Sequence, residues 1–111
     1  MAVRYVGARK LRQAFNASQL YHRLLSGDLQ SSIRDESHLS QTRAANLGSP
    51  YCTWSQMLAY FDEAQLVAIV HQYQQPDGTL GASGQPDPKW LRVGRDIWKY
   101  RPAQRKRQRR R

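Results

Sequence analysis

The sequence predicts an α+β fold: N-terminal helices packed on a small antiparallel sheet of about three strands, with a disordered basic C-terminal tail. Three observations carry this. Apolar residues in the first quarter of the chain recur at helical spacing. Two later segments are rich in β-branched or alternating residues. The last eleven residues hold seven cations and, after Pro102, no apolar side chain larger than alanine. With 111 residues the chain has room for one modest core, so residues 1–100 read as a single small domain and residues 101–111 as the tail.

The stretch from Ala8 to Ser26 reads as helix, because Leu11, Phe15, Leu20, Tyr21, Leu24 and Leu25 follow a spacing near 3.6. Asn16 followed by Gln19 resembles a capping pair and marks where two helices would divide, and Gly27 reads as a stop. Asp28 to Ser37 is polar and reads as a connector. A short helix is expected from His38 to Leu47, capped by Ser37 and followed by Gly48, before Ser49-Pro50 breaks the chain. Trp54, Met57, Leu58 and Phe61 suit a helix or a strand; a strand from Thr53 to Phe61 is favoured, since strands need partners. Leu66 to Tyr73 is the strongest strand signal. Trp90 to Tyr100 alternates around Gly94-Arg95-Asp96, which resembles a hairpin turn. Between these lies a long Gly/Pro loop, residues 76–88, of the kind that is often functional.

Composition excludes several classes. A hydrophobic fraction of 40% with 3 Trp, 6 Tyr and 2 Phe argues against a wholly disordered chain. No run approaches the ~18 apolar residues of a transmembrane helix, and the first residues lack the apolar run of a secretory signal. Asn16-Ala17-Ser18 matches a glycosylation sequon and is read as chance. Cys52 is the only cysteine, so no intramolecular disulfide or cysteine-based metal site can form; it is read as a half-buried structural thiol. These features suit a reducing compartment, the cytoplasm or, in a eukaryotic or viral setting, the nucleus. No spacing of histidines or paired carboxylates suggests a metal, and no cofactor is expected.

The net charge of +10 is uneven. Residues 1–27 carry +5, residues 28–88 carry −5 and residues 89–111 carry +10. The strongest feature is the terminal run with Arg101, Arg105, Lys106, Arg107, Arg109, Arg110 and Arg111. Guanidinium groups bind phosphate through paired hydrogen bonds, which explains arginine in preference to lysine. The run resembles the arginine-rich peptides by which some viral and phage regulators grip RNA, a compositional likeness over a tenth of the chain. Neutralising about six phosphates of a duplex implies a slope of log affinity against log salt of roughly −5. Arg9, Lys10 and Arg12, with Arg23 further on, form a second basic set. Trp90, Trp98 and Tyr100 lie among Lys89, Arg92, Arg95 and Lys99, where rings stack on unpaired bases.

Three functions fit. The first is a small, non-catalytic nucleic-acid-binding protein, RNA favoured over DNA, using the arginine-rich tail with Arg9, Lys10 and Arg12. The second is a small ribonuclease-like toxin or effector built on His71, at a strand end beside Asp77, Asp87 and Lys89, where general acid–base chemistry is conceivable. The third is an accessory subunit docking onto a larger protein assembly. The expected partner is nucleic acid or another polyanion in the first two readings and a protein in the third.

Overall fold

The strand-forming stretches assemble into one six-stranded sheet of order β1-β6-β5-β4-β3-β2. In this computed structural model, which describes residues 1–102, the elements are β1 (Val3–Val6), α1 (Ala8–Ala17), α2 (Leu20–Leu25), β2 (Gln30–His38), α3 (Gln41–Asn46), β3 (Trp54–Asp62), β4 (Gln65–Gln74), β5 (Asp87–Val93) and β6 (Asp96–Tyr100). The expected antiparallel sheet of about three strands is therefore wrong. The sheet has six strands, and its β1–β6 pair is parallel. The disordered tail expected at residues 101–111 lies, beyond Pro102, outside the described residues.

Two strands account for most of the difference. The expected connector at 28–37 is β2, an edge strand paired antiparallel with β3 from Gln30↔Phe61 to His38↔Trp54. Every residue of β2 is exposed, so it has no apolar alternation to betray it. Its charged residues Arg34, Asp35 and Glu36, with a bulge between Ile33 and Asp35, are what an open sheet edge carries to discourage further pairing. At the other edge, β1 has four residues, too few for a periodic signal. It is held by Ile97 N–H donating to Ala2 O at 2.9 Å and Arg101 N–H donating to Val6 O at 2.8 Å.

The Trp90–Tyr100 stretch is a hairpin of β5 and β6, closed at Gly94, whose φ of +60° is the left-handed turn conformation glycine adopts without a Cβ penalty. The N-terminal helical stretch divides at Gln19, in the left-handed region with φ +54°, and no side chain caps α2. The third helix starts later than expected, at Gln41; its cap is Ser40, whose hydroxyl accepts from Arg43 N–H. Cys52, expected to be half buried, is exposed.

One face of the sheet and the two N-terminal helices share the core. Leu11, Phe15, Leu20 and Leu29 bury against Leu58, Tyr60, Ala68, Val70 and Leu91, and the Phe15 and Tyr60 rings lie 6.1 Å apart. No helix among the described residues is long and apolar enough to cross a membrane. Leu11 is fully buried at this interface, whereas Leu25 is 68% exposed. Leu11→Ala is expected to cost about 2–5 kcal/mol in urea unfolding and Leu25→Ala less than about 0.5 kcal/mol; equal effects would show that the helix–sheet contact is not the core.

Candidate nucleic-acid interface

Strand alternation sends successive side chains to opposite faces, so the pairing registers identify each face. Tyr60, Ala68, Leu91, Trp98 and Arg4 align across β3, β4, β5, β6 and β1 on the helix side. The next row, Ala59, Ile69, Trp90, Lys99 and Tyr5, aligns on the opposite side. Trp90, Lys99 and Tyr5 thus stand on three adjacent strands, the outer two roughly 10 Å apart across the Lys99 strand. Two arginines continue the row. The Arg92 guanidinium lies 5.7 Å from the Trp90 ring centre and the Arg101 guanidinium 5.1 Å from that of Tyr5. Arg92 Nε also donates to Leu66 O at 3.0 Å, which holds the group in place. Tyr5 is 55% exposed, and Trp90 and Lys99 are half-buried.

The aromatic–basic cluster read from the sequence is therefore split between faces. Trp98 and Tyr100 belong to the helix side, where the Lys10 ammonium lies 5.5 Å over Trp98 and that of Lys89 lies 4.4 Å over Tyr100. The N-terminal basic set does not form one surface. Lys10 is engaged with Trp98, Arg12 pairs with Asp87 at 3.3 Å, and Arg9 remains exposed. Arg23 pairs with Asp28 and Asp62 at 2.6 and 3.0 Å, which raises its already high pKa. Arg101 is placed on Tyr5; Arg105, Lys106, Arg107, Arg109, Arg110 and Arg111 lie outside the described residues.

A cavity of about 430 Å³ lies between α1 and the sheet, in the gap where β5 parts from β4 beyond the pair His71↔Asp87. Arg12, Phe15 and Asn16 of α1, His71 to Tyr73 of β4 and the segment from Gly81 to Lys89 line it. Gly81 packs closely in this wall: a Cβ there would fall 2.9 Å from Ser49 Oγ, so any other residue would make that side chain shift. Three of the four residues singled out for acid–base chemistry, His71, Asp87 and Lys89, meet here. Asp77 does not; its carboxylate accepts from Thr79 N–H and Oγ1–H in a turn, and those bonds lower its pKa.

The His71 Nε2 lies 2.7 Å from Ser55 Oγ, and its ring meets Tyr73 edge-on at 4.7 Å. Tyr73 Oη accepts from Arg43 at 3.3 Å. Burial, then the Lys89 charge, pushes the imidazole below its ordinary pKa, with Asp87 opposing and Arg43 adding to the effect. Asp87 accepts from both Arg12 and Lys89. Among the described residues no group of three His, Cys, Asp or Glu could hold a metal ion. Sequence reasoning missed Tyr5, which sits in a strand too short to show a period, and Ser55 and Arg12 as neighbours of the cavity residues. Cross-strand register reveals Tyr5 and Ser55, and the packing of α1 on β5 reveals Arg12.

A lowered imidazole pKa has a definite sign. The unfolded chain takes up the His71 proton near pH ~6.5 and the folded chain only at lower pH, so this residue makes stability fall as pH drops below ~6.5. The difference in urea midpoint between pH 7.5 and pH 5 is expected to shrink in His71→Gln; an unchanged difference would contradict a half-buried, neutral His71. Comparison with known protein families, with curated proteins and with solved structures finds no match to this chain.

Proposed function

We propose that this protein binds single-stranded nucleic acid, RNA in preference to DNA, across the sheet face bearing Tyr5, Lys99 and Trp90. The alignment of two rings and one ammonium in a single transverse row carries the reading. Unpaired bases stack on aromatic faces, while the neighbouring cations neutralise the backbone. Duplex bases are already stacked on one another and gain nothing from such rings. RNA is favoured because its sequence-specific recognition mostly targets unpaired segments, and because arginine-rich segments commonly order on it. The cations of residues 101–111 add long-range attraction and salt dependence.

Binding is favoured over strand cleavage by the partners of the candidate catalytic groups. Asp87 is held by Arg12 and Lys89, so its oxygens are taken up by ion pairs in place of a substrate proton.

The test is fluorescence anisotropy with a short labelled single-stranded RNA. Tyr5→Ala and Trp90→Leu are each expected to weaken binding by about 1–3 kcal/mol, roughly 5- to 150-fold. Deleting residues 103–111 is expected to make the slope of log affinity against log salt shallower by about 4, as about six contacts to a single strand would require. Wild-type affinity in both ring variants, with all binding lost on deleting 103–111, would remove the sheet from the interface.

A further inference from the structure

We infer that the cavity between α1, the end of β4 and the 81–87 segment is a binding site for a single nucleotide. The inference takes its ligand class from the nucleic-acid reading of the sheet and adds a second, separately testable site.

Position comes first. His71 lies two residues along β4 from Ile69, the β4 member of the open-face row, a step of about 7 Å. Lys89 directly precedes Trp90. By strand alternation Lys89 points to the helix side, over Tyr100, where α1 lines the cavity, so the cavity and the Trp90 row are neighbours along β5 on opposite faces. At about 430 Å³ the space is at the small end of the ligand-pocket range, ~300–1,000 Å³, room for one nucleotide-sized group.

The lining chemistry matches the three parts of a nucleotide. Arg12 and Lys89 face one another across Asp87, so the charged groups lining the cavity leave one positive charge in excess while His71 is neutral. Asp87 takes one N–H from each cation, at 3.3 and 3.0 Å. A guanidinium has five donors and an ammonium three, so both retain donors for a phosphate. Asn16 and Gln85 bring carboxamides, whose paired donor and acceptor complement a base edge. Phe15 and Tyr73 supply aromatic walls. A bare anion has no use for the amides and rings, and an apolar ligand has none for the cations.

The experiment follows backbone and side-chain amide NMR shifts of the full chain during titration with adenosine, guanosine, cytidine and uridine 5′-monophosphates, each nucleoside, and inorganic phosphate. At least one monophosphate is expected to give saturable shifts at Asn16, Tyr73 and Gln85, binding about tenfold or more tighter than its nucleoside or phosphate. Lys89→Gln is expected to weaken that binding about tenfold, and Asn16→Ala to weaken the monophosphate while leaving phosphate unaffected. In Tyr5→Ala, which disables the proposed sheet surface, cavity shifts are expected to persist; that outcome with unaltered RNA binding would sink the sheet reading and leave the cavity. Shifts confined to Trp90 and Tyr5, or none with any monophosphate while RNA still binds, would overturn the cavity site and leave the sheet.

Discussion

The burial of Leu11 and Phe15 against Tyr60, Ala68 and Leu91 is the contact on which the other features depend. Strand side chains alternate with a period of two, so a slip of one residue would carry this apolar row to solvent. Burying one face therefore sets the pairing of β3, β4 and β5, and through the hairpin that of β6. The opposite row is set by the same register, with Ala59 buried within it and Tyr5 exposed at its end. Trp90 and Lys99 are neighbours because Leu91 and Trp98 are, and Tyr5 joins them because Arg4 joins Trp98.

The parallel pairing of β1 with β6 changes the meaning of the charge distribution. Along the chain, positive charge gathers at the two ends around an acidic middle. In the fold the ends are adjacent, and Arg101, the first cation of the terminal run, stands over Tyr5 of the first strand. The acidic residues answer particular cations: Asp87 holds Arg12 and Lys89, Asp28 and Asp62 hold Arg23, and Asp96 accepts from Ala2 N–H beside Arg4. These exposed pairs contribute little stability individually. Their consequence is selection, since they occupy Arg12, Arg23 and Lys89 and leave Lys99, Arg92 and Arg101 beside the Trp90 and Tyr5 rings.

The parts of the fold legible in the sequence are those whose residues are buried on one side. Leu11 and Phe15 mark α1 by helical spacing, the β-branched run Leu66–Tyr73 marks β4, and Leu91, Val93 and Ile97 mark the hairpin, whereas the 53–61 stretch suits a helix as well as a strand. The edge strands were not legible, because an edge position demands little burial: β2 is polar throughout, and β1 is four residues long. The site was half legible. Trp90, Arg92 and Lys99 stand close in sequence, but nothing local distinguishes their face from that of Trp98 and Tyr100. Tyr5 is more than eighty residues away in sequence and reaches them only through the parallel pair. His71, Asp87 and Lys89 are brought together by the same ladder, at the point where β5 leaves β4.

The most direct test of the account is photo-crosslinking of the full chain to a single-stranded RNA carrying 4-thiouridine, with the crosslinked peptides identified by mass spectrometry. The account requires crosslinks on β1 and β5, at Tyr5 and Trp90. Crosslinks restricted to residues 103–111, or falling on the exposed surface of α1 and α2, would contradict it.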